Sequence, residues 1–193
     1  VSLVSVLTPT VPERESFFRR CSLSIEAQTY SPVEHVIERK TGIGPMPAFQ
    51  CCLDKAQGEY VIAVGDDDWL APHAIETLVP YLRNSEVVFG RTLIVSPGKD
   101  RLVSGHMAMW RKALTDEIGG YDPHYRHAGD SALFGRMIEH GASLSYCPEP
   151  LYFFTEHATH NSFLYREELK VELQEIQAVY ADAHRKLANV VPA

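Results

Sequence analysis

Apolar runs rich in Val, Leu and Ile at residues 2–8, 33–38, 60–64 and 86–96 alternate with helix-like stretches at 13–28, 45–56 and 72–83. This alternation constrains the chain more than any bulk property. It predicts an α/β fold: a mostly parallel sheet, Rossmann-like, with helices on both faces. Pro12 and Pro72 stand where helices start, and Pro80 predicts a kink or an end within the third helix. Parallel sheets of this kind bind ligands beyond the carboxyl ends of their strands. At the end of the third run, in "YVIAVGDDDWLAP", Gly65 is followed by Asp66, Asp67 and Asp68.

Beyond residue 96 the pattern loosens. A strand is expected over 105–110, then a short helix closed by Gly119 and Gly120, and a helix over 130–141 with Asp130 at or near its start. "LSYCP" and "LYFFT" read as two short strands, which predicts a smaller mixed sheet in this part. The segment 164–188 is expected to be one C-terminal helix. Its seam of Leu169, Leu173, Ile176, Tyr180, Ala183 and Leu187 either packs on its own domain or forms a homodimer.

The 193 residues are enough for a single domain, and the net charge of −7 gives no footprint for nucleic acid or an anionic membrane surface. Arg14, Arg19 and Arg20 cluster, but read as a solvated helix face. No apolar run approaches the roughly 20 residues that span a bilayer. Cys21, Cys51, Cys52 and Cys147 lack the spacing of a metal site or a disulfide framework. A reducing, cytoplasmic setting is therefore expected.

Three adjacent carboxylates disfavour one another's ionisation. Either Asp68 caps the next helix while the others are solvated, or the group binds a hard cation such as Mg²⁺ or Mn²⁺, whose remaining positions waters and substrate phosphates fill.

Five blocks in order narrow the choice. "VSVLTPTVPER", "SIEAQTYSPVEHVIE", "KAQGEYVIAVGDDDWLAP", "MWRKALTDEIGGYDP" and "YRHAGDSALFGRMIEHG" resemble the family 2 glycosyltransferases over residues 2 to about 160. The resemblance implies a GT-A fold: a nucleotide-binding half (1–96), an acceptor and catalytic half (97–163) and a C-terminal helix (164–193). It implies inverting transfer from a nucleotide sugar, a UDP-sugar foremost, to an acceptor hydroxyl, supported by Mn²⁺ or Mg²⁺.

Carried over by position, Asp130 matches the general base, whose alternative reading is a helix N-cap. Asp67 matches the principal metal ligand. Asp66 matches a ribose or metal contact, and Asp68 either joins the metal, supports the site or starts the helix. Pro9, Thr10 and Glu13 fall where the family holds base and ribose. Glu38 and Arg39 replace its Asp-Asp pair: Glu38 is left to meet the base, while Arg39 or Lys40 is free to meet phosphate. His157 matches a metal-binding His of some members, with His160 on the same face if helical. Trp110, Gly119, Gly120 and Gly129 fall on the donor-sugar and acceptor side, and His106 begins a strand facing it. The family's Arg-Asn pair before the third strand is here Phe49–Gln50, so that donor contact does not carry over. A non-catalytic nucleotide- and cation-binding module of the same fold is the alternative. A sugar nucleotidyltransferase is another, although "TPTVPER" lacks the glycines such a loop uses.

Overall fold

The structure, a computed structural model, describes residues 1–192 and, at positions 161 and 162, the backbone alone. Strands β1 (Val4–Pro9), β2 (Val33–Glu38) and β3 (Tyr60–Ala63) alternate with α1 (Glu15–Glu26) and α2 (Pro45–Lys55). β1 pairs in parallel with both β2 and β3. A short β4 (Trp69–Leu70) leads into α3 (Ala74–Leu78). Pro80 ends the α-helical hydrogen bonding there, and the chain continues as a 3₁₀ turn over Val79–Arg83.

The described strands then depart from a mostly parallel sheet. β5 (Val87–Val95) and β6 (Arg101–Arg111) form a long antiparallel hairpin, and β6 rather than β5 docks beside β3, antiparallel to it. β7 (Leu144–Thr155) is one strand with irregular register near Pro150, not two, and lies parallel to β5. The result is one mixed seven-stranded sheet, order β2-β1-β3-β6-β5-β7-β4, and not a large sheet with a small one beside it. The tight "PGKD" turn explains the correction. A turn of that length permits only antiparallel return, so the fourth strand cannot leave by a helical crossover.

Strand alternation sorts the core onto two faces. Val4, Val6, Ile62, Val88 and Met109 pack with Cys21 and Ile25 of α1 and with Ile75 and Leu78 of α3. Leu7, Val61, Phe89, Ala108 and Trp110 pack on the other side, with Leu53 of α2 and with Leu133 and Met137 of α5 (Gly129–Glu139).

Between β6 and α5 lies α4 (Lys112–Ile118). The C-terminal segment is not one helix but α6 (Asn161–Leu164), α7 (Arg166–Val179) and α8 (Ala181–Ala188), with a break at Tyr180. Its seam packs on its own domain. Ile176, Tyr180 and Ala183 are buried, Leu169 and Leu187 cover the same core, and Leu173 is exposed. No helix among the described residues is long and apolar enough to cross a membrane.

One partly buried residue makes stability depend on pH. His35 of β2 stacks on Phe18, its buried Nε2 has no hydrogen-bond partner among the described residues, and burial lowers its pKa to about 4. A folded-state pKa below the unfolded value near 6.5 means that the stabilisation is complete above pH 6.5 and is lost as pH falls toward 4. Denaturant titrations should show roughly 2–3 kcal/mol of acid sensitivity in that window. His35→Phe should flatten it; an unchanged slope would contradict the assignment.

Candidate active site

The carboxyl ends of β1, β2 and β3 meet at one edge of the fold, and the three aspartates leave β3 there in a turn closed by Asp68 N–H to Gly65 O. All three are nearly buried. Arg14 is shared by Asp66 and Asp67, but the other partners of each carboxylate differ, so the triplet divides into three tasks.

Asp66 faces β1. It accepts the Thr10 hydroxyl at 2.7 Å and the Arg14 Nε–H at 2.9 Å. Thr10 is held in turn by its N–H to Glu38 O at 2.8 Å. Thr10, Glu38 and Asp66 are thus brought together where base and ribose were expected. Pro9 pairs with Glu38 at the last step of the β1–β2 ladder.

The Glu38 carboxylate is engaged by Lys55 Nζ at 2.7 Å and by Lys40 N–H at 2.9 Å, which together hold its pKa below the usual carboxylate range. Arg39 turns away, pairing with Glu15 at 2.9 Å and covering the Phe18 ring. Glu13 is exposed on the 3₁₀ turn Pro12–Arg14.

Asp68 faces β7. Tyr152 donates its hydroxyl to Asp68 at 2.7 Å and accepts Gly65 N–H at 3.2 Å, while Thr155 N–H reaches Asp68 at 2.8 Å. Burial, with Asp67 adding to it, pushes the Asp68 pKa well up. Asp68 thus staples the end of β7 to the β3 turn. Tyr152→Phe would remove both bonds of the hydroxyl and leave buried polar groups unmatched. It should cost roughly 1–3 kcal/mol in urea unfolding; wild-type stability would refute the staple.

Asp67 lies between these two and faces Arg14 and the two histidines. Its Oδ2 is 2.5 Å from Arg14 NH2, 2.9 Å from His157 Nε2 and 3.8 Å from His160 Nε2. Burial alone would raise the Asp67 pKa, but His160, Arg14 and the His157 bond outweigh it and hold it low. His160 is displaced downward, chiefly by burial, which favours the neutral ring. His157 is braced by stacking on Phe17 and by Thr159 at 2.9 Å.

Arg14 and Arg20 do not form a solvated face. Arg14 bridges Asp66 and Asp67, and Arg20 donates to the Asp67 carbonyl at 2.5 Å and to Thr155 at 2.7 Å while covering the Trp69 ring. Their helix spacing showed a charged face without showing that carboxylates line it.

Two imidazoles and the Arg14 guanidinium gather around the Asp67 carboxylate. Among the described residues, no group of three or more His, Cys, Asp or Glu side chains is placed to hold a metal ion by itself.

Across the site, Asp130 sits in the first turn of α5 with its carboxylate exposed and accepting Ser131 N–H at 2.8 Å. Its charge reaches His106 on β6 and Tyr121 after the Gly119–Gly120 turn. His106 packs edge-on against Phe154, 4.7 Å away, and Phe154 contacts His160 at 4.6 Å. His106 thus feels the charge of Asp130 and is linked through Phe154 to His160.

The glycines have structural reasons. Gly119 (φ 80°) and Gly120 (φ 70°) are left-handed, and a Cβ on Gly120 would strike Gln50. Gln50, which replaces a family donor contact, instead accepts Tyr121 N–H at 2.7 Å. Gly129 lies against Met46, whose Sδ would be 2.6 Å from an added Cβ. Trp110 corrects the expectation of a sugar contact: it is fully buried in the core, edge-on to Phe134.

The geometry defines a GT-A-type α/β fold with two acidic centres, one at the strand ends and one at the start of α5. The family described as Glycosyl transferase family 2 matches residues 35–141, more than half of the chain, and the protein belongs to that family. Among curated proteins no sequence matches.

Solved structures agree on the fold. S. aureus TarS 1–349 in complex with UDP is similar at TM-score 0.70 and 15% identity, over 96% of this chain and 72% of that one. The same protein in complex with UDP-GlcNAc gives 0.73 and 14%, over 97% and 67%. The mannosyltransferase PcManGT from Pyrobaculum calidifontis, in complex with GDP-Man and Mn²⁺, gives 0.64 and 16%, over 86% and 60%. The chain spans 40% of the longer S. aureus TarS structure.

Proposed function

We propose that this chain transfers a sugar from a nucleoside-diphosphate sugar, with UDP-sugars the first candidates, to an acceptor hydroxyl with inversion. The observation that carries the reading is the convergence of His157, His160 and Arg14 on Asp67, at the strand ends where Thr10, Glu38 and Asp66 gather. Thr10, Glu38 and Asp66 hold the nucleoside. Asp67 with His157 and His160 would hold Mn²⁺ or Mg²⁺, while Asp68 keeps β7, and so both histidines, in place. A divalent cation bound there supplies positive charge against the departing diphosphate.

Arg14 must leave Asp67 as a cation arrives, and its guanidinium is then free to meet a phosphate oxygen. His106 and Tyr121 border the space between the two acidic centres, where the sugar would lie. Asp130 takes the acceptor proton as that oxygen attacks the anomeric carbon from the side opposite the diphosphate. The relatives' bound ligands, UDP, UDP-GlcNAc and GDP-Man, are the reason to test more than one base.

The test is incubation with UDP- and GDP-sugars and Mn²⁺, following release of nucleoside diphosphate. The expected result is release from one donor class, abolished by chelation. Absence of release together with no stabilisation by any nucleoside diphosphate would overturn the proposal.

A further inference from the structure

The helix that carries Asp130 begins without a cap of its own. Ala128 precedes α5 and offers no side-chain cap, and within the first turn the Asp130 carboxylate accepts Ser131 N–H. A carboxylate from 44 residues downstream holds the chain that enters the helix. Glu172 of α7 accepts Arg126 N–H at 3.0 Å, His127 N–H at 2.9 Å and Ala128 N–H at 2.8 Å. Three charge-assisted bonds thus converge on the three residues that lead into Gly129 and Asp130, at the positive end of the α5 dipole.

Residues of α7 and at its two ends brace α5 and the segment before it in other ways. Glu175 lies 3.0 Å from His124 Nε2 and accepts the Tyr125 hydroxyl at 3.4 Å. Tyr180 packs so closely on α5 that a Cβ on Gly135 would come within 2.7 Å of its ring. Tyr165 stacks on His127 at 4.7 Å. Asp130 itself bonds only to its neighbour Ser131 N–H among the described residues. Its place relative to the strand-end site is therefore set by the backbone of 126–129, and that backbone is held by Glu172.

We infer that Glu172 is a positioning residue for the transfer step: the C-terminal helices hold the Asp130 turn in register with the donor site through its carboxylate. The inference rests on the reading of Asp130 as general base. It gives the C-terminal seam a role within the monomer's chemistry.

The test uses Glu172→Ala and the milder Glu172→Gln, which keeps the length but loses acceptor capacity. Hydrogen exchange at Arg126, His127 and Ala128, UDP affinity in Mn²⁺ and turnover of the best donor are measured together. The expected outcome is faster exchange at those three amides and turnover down about tenfold or more in Glu172→Ala, with less in Glu172→Gln. UDP affinity should stay within about twofold, because the nucleoside contacts lie on other strands.

In an Asp130→Asn background, Glu172→Ala should cost nothing further, because the positioned group is already lost. An equal further loss in that background, or a matching loss of UDP affinity, would show a general structural role and overturn the inference. So would full turnover despite fast exchange. Should Asp130→Asn itself retain activity, the base assignment fails on its own, whatever the exchange at residues 126–128 shows.

Discussion

Asp130→Asn lowers turnover by roughly 10²- to 10⁴-fold, the range a positioned general base contributes, and leaves nucleoside diphosphate binding intact. Asparagine keeps the shape of the side chain and can still accept Ser131 N–H, the hydrogen bond seen in the structure. What it cannot do is take a proton. The residue is exposed and lies in the first turn of α5. The substitution should therefore change fold stability by well under the effect of a core mutation. The groups proposed to hold nucleotide, Thr10, Glu38 and Asp66, lie at or just beyond β-strand ends and not on α5, so affinity and rate should separate. Steady-state kinetics combined with UDP titration would show this; a variant as fast as the wild type would remove Asp130 from the mechanism.

Asp67→Asn is expected to weaken UDP binding in Mn²⁺ at least tenfold, about 1.4 kcal/mol, and to depress turnover by a larger factor. The reason lies in the division of the triplet. Asp66 and Asp68 spend their oxygens on Thr10, Arg14, Tyr152 and Thr155. Asp67 alone of the three faces His157 and His160. The sign of the effect is diagnostic. Without divalent cation the substitution removes a negative charge near the diphosphate site and frees Arg14 from one of its two carboxylates. UDP binding in chelator should then be unchanged or slightly tighter. Calorimetric titration with Mn²⁺ and with chelator separates the cases. Equal weakening in both would mean that Asp67 acts through the fold and not through a cation.

The contrast between Asp67 and Asp68 marks where the sequence stops being readable. The alternation of strand and helix runs over the first ninety-six residues placed three carboxylates at a strand end, and β1, β2 and β3 lie as that pattern implies. The hairpin that puts β6 beside β3 did not follow from it, because strand order depends on which edge a pair docks against, and local periodicity carries no trace of that. Nor could the triplet be divided by spacing. The groups that tell Asp67 from Asp68, namely Tyr152, Thr155 and His157, lie 84, 87 and 90 residues away.

Arg14 illustrates the same limit at short range. On a helix wheel it is one more surface charge; only the turn at 65–68 shows that its face is lined with acids. Trp110 fails in the other direction. An aromatic before the acceptor segment invites a sugar, but strand parity points it inward with Ala108 into the core. Glu172 carried a signal that could have been noticed. The sequence before Asp130, "YRHAG", offers no Ser, Thr, Asn or Asp to cap the coming helix, which requires an acceptor from elsewhere.

Asp67, His157 and His160 are proposed to form the cation and diphosphate half of a glycosyltransferase site. An anomalous difference map from crystals grown with Mn²⁺ and UDP tests this most directly. One strong peak should appear, bounded by the Asp67 carboxylate and the His157 ring, with Arg14 withdrawn from Asp67. Nucleotide bound at the strand ends with no such peak, or with Arg14 still bridging Asp66 and Asp67, would contradict it.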